Sequence, residues 1–286
     1  MKKIFLLCLI PFLLSGCIKR DSMEDITIYT TNYATEYITN YLYGTHSLVK
    51  SIYPDGVIID EYTLTDTQIE EYSSNDLFIF NGLSNEKDYI LPMLKHNRKL
   101  KIIDTSYSME FDYINDELWL NPSNFLMLAQ NIKNGLDEYI NNQYLKNDIL
   151  KKYEELKVNV SNMDAKIYLT VNRCDSKNIV VANSGFNFLS KYGINVYSID
   201  DRETIPSKTL EDVKNLMKSG EIKYIIINEY DIETELVKEL VNTYNVKIVR
   251  FNSLSNINED DRKNKKDYIS LMNENIDIIN NELSNE

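Results

Sequence analysis

Residues 139–163 read YINNQYLKNDILKKYEELKVNVSNM. Charged and amide side chains dominate, while apolar residues return at Leu145, Ile149, Tyr153 and Leu156. A thin stripe with that spacing describes a long helix that touches its neighbours along one edge only. It is too charged for a core helix and reads as a bridge between two lobes.

On the N-terminal side, short β-rich apolar runs alternate with helical patterns. Strands are expected at Ile26–Thr30, Leu48–Tyr53, Asp76–Asn81 and Leu100–Asp104, with helices at Tyr33–Tyr43, Thr65–Tyr72 and around Tyr89–Lys95. A further helix opens at Pro122, where a missing N–H is harmless, and continues through Phe125, Leu128, Ile132 and Leu136. Beyond the bridge the alternation resumes. Strands fall at Ile179–Ala182, Val196–Ile199, Tyr224–Asn228 and Val246–Phe251, and helices at Phe186–Tyr192, Leu210–Lys218, Glu233–Tyr244 and Tyr268–Leu283. Repeated βα units imply parallel sheets covered by helices. The expected fold is therefore α/β, with two Rossmann-like, doubly wound lobes joined by one long helix. The lobes span residues 26–138 and 164–286. Ligands of such sheets bind beyond the carboxyl ends of the strands, which here places the site in the cleft between the lobes. Gly44, Gly193 and Gly220 each follow a helical stretch, as helix-ending glycines do.

The N-terminus carries an address. Lys2 and Lys3 precede an apolar run from Ile4 to Leu14, and Leu14-Ser15-Gly16-Cys17 follows. The run is shorter than the roughly 20 residues of a spanning helix, so residues 1–16 read as a secretory signal peptide. Ser-Gly-Cys resembles the bacterial lipobox, which implies lipidation of Cys17 (acyl chains such as palmitate) and a tether over residues 17–25. Each buried methylene adds about 0.8 kcal/mol of membrane affinity. Of three cysteines, only Cys17 and Cys174 survive cleavage, so no disulfide is expected and Cys174 reads as a small, partly buried filler.

The net charge is −13, and removal of Lys2 and Lys3 leaves −15. That argues against nucleic acid as a partner. No glycine-rich phosphate loop and no nucleophile elbow is present, and no enzymatic activity is expected. His46 and His96 sit in unrelated polar contexts and read as surface residues. With so few histidines and thiols, a closed zinc site of nitrogen and sulfur ligands is not available. The tyrosines, Tyr62 among them, and Trp119 read as packing residues rather than as a platform for a cofactor.

Four stretches carry a family likeness. Asp116-Glu117-Leu118-Trp119-Leu120-Asn121-Pro122 resembles the Asp-x-His-x-Trp-Leu-Asp-Pro motif of zinc/manganese solute-binding proteins, the extracytoplasmic receptors of metal-uptake ABC transporters. Asp60-Glu61-Tyr62, followed by Asp76 to Leu83, resembles the family's first ligand loop with its helix and strand. Asn183-Ser184-Gly185-Phe186 resembles its third ligand turn, and Tyr224–Glu229 with Val246–Leu254 its last two strands.

The resemblance implies a lipoprotein on the outer face of the bacterial cell membrane, acting as a monomer with a membrane permease. It also implies ligand positions, and here the chain departs from the family. Where the family places histidines and acids, this sequence offers Asp60, Glu117, Asn183 and Asn252. Two carboxylates and two amides form an all-oxygen set suited to one divalent cation, manganese, magnesium or calcium before zinc. Three readings follow: a receptor for a harder cation or another small solute; an adhesin that kept the fold and holds no metal; or a derivative serving catalysis or a larger cofactor.

Overall fold

The computed structural model describes residues 20–109, 117–174, 176–202 and 204–283. The expected signal peptide, residues 1–16, and Cys17 lie outside these residues.

The first lobe contains β1 (Ile26–Thr30), α1 (Tyr33–Tyr43), β2 (Ser47–Ser51), α2 (Asp66–Ser73), β3 (Leu77–Phe80), α3 (Ile90–His96) and β4 (Lys101–Asp104). A helix α4 (Pro122–Tyr139) closes it, and α5 (Gln143–Arg173) leads to the second lobe. That lobe comprises β5 (Asn178–Val181), a run of 3-10 turns over Ser184–Tyr192, β6 (Asn195–Ser198), α6 (Ser207–Ser219), β7 (Tyr224–Asn228), α7 (Glu235–Tyr244), β8 (Lys247–Phe251), α8 (Glu259–Lys263) and α9 (Tyr268–Leu283).

Both sheets are four-stranded and parallel, with orders β2-β1-β3-β4 and β6-β5-β7-β8. The same strand reversal occurs in each, between β1 and β3 and between β5 and β7. The central strands Leu77–Phe80 and Tyr224–Asn228 are buried along their whole length, because helices cover both faces. The edge strand β2 alternates between half-buried and exposed.

Helix α5 spans about 46 Å at 1.5 Å per residue. Its stripe of Leu145, Ile149, Tyr153 and Leu156 continues through Val160, Met163, Ile167 and Val171, all buried. This seam packs on α1, α4 and α9, so one apolar core runs from Ile28 in the first lobe to Phe251 and Ile279 in the second. A separate apolar cluster fills the far face of each sheet.

Several local expectations change. The connecting helix starts at Gln143, capped by Asn142, and runs on to Arg173 rather than ending at residue 163. The break before it is held by Asp21, whose Oδ2 accepts the N–H groups of Asn141 (2.8 Å) and Asn142 (2.7 Å). Residues 21–25 are therefore docked and not part of a free tether, since Met23 is fully buried and its carbonyl accepts the Tyr43 hydroxyl. Ser184–Tyr192 winds as 3-10 turns instead of an α-helix, ending at Gly193 with φ of 88°. Gly220 also ends its helix in the left-handed region, but Gly44 keeps φ of −61°. His46 is half-buried and bonded to Asp148 on α5 (2.9 Å), whereas His96 is exposed. Cys174 is buried, with its thiol on the Thr170 carbonyl.

Candidate functional site

Each strand beside the two reversals ends in an asparagine: Asn32 after β1, Asn81 after β3, Asn183 after β5 and Asn228 closing β7. These ends converge on a cavity of about 230 Å³ between the lobes, lined by Asn32, Asn81 and Asn228 among others. Its acidic lining residues are Asp60, Glu86, Glu117 and Asp231, and no Lys, Arg or His lines it among the described residues. A low-dielectric cleft with one sign of charge focuses potential on a cation.

One wall is a cross-linked polar cluster. Glu117 precedes the buried turn Leu118–Leu120 and is 8% exposed. Its Oε1 accepts Nδ2 of Asn228 at 2.8 Å and, more weakly, Nδ2 of Asn183 at 3.5 Å. The Asn183 amino group also reaches Oδ2 of Asp231 at 3.4 Å, so one amide touches both carboxylates. Gly185 lets the backbone pass close by, since a Cβ there would lie 2.7 Å from Glu117 Oε2. Arg250 on β8 steadies the loop bearing Asp231 by donating to the carbonyls of Glu229 (3.1 Å) and Asp231 (3.2 Å). Trp119 acts as the expected packing anchor: it is buried, its Nε1 donates to the Ser253 carbonyl at 2.8 Å, and the Tyr268 hydroxyl donates to its own carbonyl.

The opposite wall belongs to first-lobe loops. Asp60 is exposed in the turn Ile59–Glu61, beside Tyr62, whose ring meets that of Tyr53 edge-on at 5.7 Å. Glu86 is only 5% exposed, and its Oε2 accepts the Asn81 N–H at 3.1 Å. Burial pushes its carboxyl up to about 7, a rise that the Asn81 contact only partly opposes. Glu229, between the lining residues Asn228 and Tyr230 in sequence, is raised to about 7 for the same reason.

Of the four positions read from the sequence, Asp60 and Glu117 line the cavity and Asn183 stands at the back of it. Asn252 does not line it. Its Oδ1 accepts the Leu254 N–H at 2.8 Å, and its backbone pairs with the Asn275 side chain, while the neighbouring Ser253 faces the cavity. Sequence reasoning missed Glu86, Asn228 and Asp231. The signal for Asn228 was present, because it closes a strand at whose carboxyl end a ligand is expected. Among the described residues, no three His, Cys, Asp or Glu side chains are grouped closely enough to hold a metal by themselves.

Comparison with known proteins bears on this geometry. A family model described as zinc-uptake complex component A, periplasmic, matches residues 28–282. The chain is 26% identical over 222 residues to the manganese ABC transporter substrate-binding lipoprotein PsaA of Streptococcus pneumoniae, covering 71% of each protein. Among solved structures, zinc-bound AdcA of Streptococcus pneumoniae superposes with a TM-score of 0.72 at 20% identity; 92% of this chain is covered, and it spans 58% of that protein. The laminin-binding protein Lmb of Streptococcus agalactiae, described as a bifunctional protein with adhesin and metal-transporting activity, gives a TM-score of 0.74 at 16% identity, over 91% of this chain and all of that one.

Proposed function

The chain belongs to the family of zinc-uptake complex component A, and from that premise we propose that it is the extracytoplasmic substrate-binding lipoprotein of a metal-type ABC transporter. Its cargo is a divalent cation held in the cavity between the lobes. The observation that carries this reading is the cavity lining, with four acids and no base among the described residues. The work is capture, not catalysis.

The donor chemistry points to the harder end of the divalent series. Carboxylate and amide oxygens suit manganese, magnesium or calcium, and among the described residues no imidazole or thiolate of the kind that favours zinc lines the cavity. That the relative PsaA is a manganese transporter lipoprotein supports the same choice. Rigid lobes serve such a receptor, because a preformed cage presents the ion without a large closure. Here α5 and its seam bind both lobes to one core. Arg262 of the second lobe also pairs with Glu36 and Asp55 of the first. A lipid on Cys17 would hold this monomer beside its permease. No helix among the described residues is long and apolar enough to cross a membrane.

The test is calorimetric titration of the metal-stripped chain with manganese, zinc, calcium and magnesium. A one-to-one heat with manganese that vanishes in the Asp60→Ala, Glu117→Ala double variant is expected. Silence with all four ions would sink the reading and favour the adhesin alternative, which draws its support from the adhesin activity ascribed to Lmb. Cys17→Ala should move the protein from the membrane fraction to the soluble one.

A further inference from the structure

The four strand-end asparagines do not behave alike. Asn32 uses its Oδ1 to accept the Thr35 N–H at 2.9 Å, Asn81 accepts Leu83 N–H at 3.1 Å, and Asn183 accepts Gly185 N–H at 2.7 Å. In each case the amide oxygen is occupied by the turn that follows its strand. Asn228 breaks the pattern: it is 3% exposed and lines the cavity, yet its Oδ1 has no hydrogen-bond partner among the described residues.

The orientation of that amide is dictated by chemistry. Glu117 Oε1, 2.8 Å away, is an acceptor, so the Asn228 atom facing it must be the amino nitrogen. The carbonyl oxygen is then directed to the other arm of the fork. A buried amide oxygen without a partner costs about 1–3 kcal/mol, and a native site keeps such a group where an ordered water, an ion or a ligand satisfies it. Asn228 stands beside the Glu117 carboxylate, and Asn183 links that carboxylate to Asp231, so a cation drawn to the two acids can satisfy this oxygen.

We propose that the Asn228 carbonyl oxygen is a direct ligand of the captured cation, completing a hard site with the carboxylates of Glu117 and Asp231. Asn183 is then a positioning residue. Its oxygen is held by Gly185, and its amino group tethers both carboxylates. Three protein oxygens leave room for water on the ion, as manganese, magnesium and calcium accept and a closed tetrahedral zinc site does not. This assignment rests on the cation-capture reading and names the donors within it.

Two substitutions decide it, each titrated with Mn2+ by calorimetry on the full chain after chelation. Asn228→Leu removes both amide atoms, whereas Asn228→Asp keeps an oxygen at the ligand position and removes only the donor to Glu117. A direct ligand predicts that Asn228→Leu weakens Mn2+ binding by at least about tenfold while Asn228→Asp stays within about threefold of the native protein or binds more tightly. In Asn228→Asp, Mn2+ should also raise the melting temperature further than in the native chain, because two adjacent carboxylates repel until the ion arrives. If Asn228→Leu does not fold, this second variant decides alone. Equal losses in both variants would reduce Asn228 to holding Glu117 and overturn the assignment, as would native affinity in Asn228→Leu. In either case the capture reading stands. A native chain that binds no cation removes both.

Discussion

The two walls of the cavity are built on different physical terms. The wall carrying Glu117, Asn183, Asn228 and Asp231 is a network of amide-to-carboxylate hydrogen bonds, and three of its four residues are nearly inaccessible to water. The facing wall sets an exposed acid, Asp60, beside tyrosine rings, and a buried carboxyl, Glu86, that burial raises to about 7. The first wall holds its charges ready at fixed positions. The second sets one acid in solvent and one where burial disfavours its charge. In the proposed capture reading, selectivity resides where the oxygens are already immobile, at the wall of Glu117.

The largest test of this contrast is Gly185→Ala. The added methyl would sit 2.7 Å from Glu117 Oε2 and 3.0 Å from Asn183 Oδ1, so the network must shift. Mn2+ affinity should fall roughly 10- to 100-fold, as when partners of metal ligands are displaced, with a stability loss of about 1–3 kcal/mol from overpacking. Titration and thermal melting measure both. A native affinity in this variant would mean that the wall is softer than its hydrogen bonds suggest.

Glu86→Gln probes the other wall. The Glu86 carboxyl is raised to about 7 from an ordinary value of 4.5. The folded chain therefore retains a proton that the unfolded chain releases. Its stabilising contribution is complete below about pH 4.5 and is lost as pH rises through 7. At pH 8 the buried charge is unfavourable by up to the order of 3 kcal/mol. The variant should melt higher than the native protein at pH 8 and similarly at pH 4.5. Glu229, raised in the same direction, leaves part of the slope in place. Melts across that range that run parallel in the two proteins would contradict a neutral Glu86.

The smallest effect is expected where the walls are held at their spacing. Arg262 donates to both oxygens of Glu36 (2.8 and 3.0 Å) and to both of Asp55 (2.6 and 2.8 Å), bridging the lobes. The group is partly exposed, so Arg262→Ala should cost only about 1 kcal/mol in low salt and less in high salt. A larger loss, or one insensitive to salt, would show that the bridge does more than brace the rim.

Much of the architecture was legible in the chain itself. The stripe on α5, the apolar runs of β3 and β7, and Pro122 at the start of α4 are local patterns whose period dictates their structure. The legible part of the site was the part carried by motif: Glu117 with Trp119 behind it, and Asp60 on its turn. Asp231 and Glu86 were not legible, because nothing near them in sequence distinguishes them from the many acids on the surface. Asn183 and Asn252 were read as equals, yet one clasps two carboxylates at the cavity and the other caps a turn beside α9.

By itself the sequence determined two parallel α/β units, a long helix between them and a family likeness, since periodicity and motif are properties of neighbours along the chain. Only the tertiary structure decided which oxygens face the cavity. An asparagine offers a donor on one side and an acceptor on the other, and its choice depends on groups brought close from distant segments. At Asn228 the carboxylate of Glu117, 111 positions earlier in the chain, makes that choice.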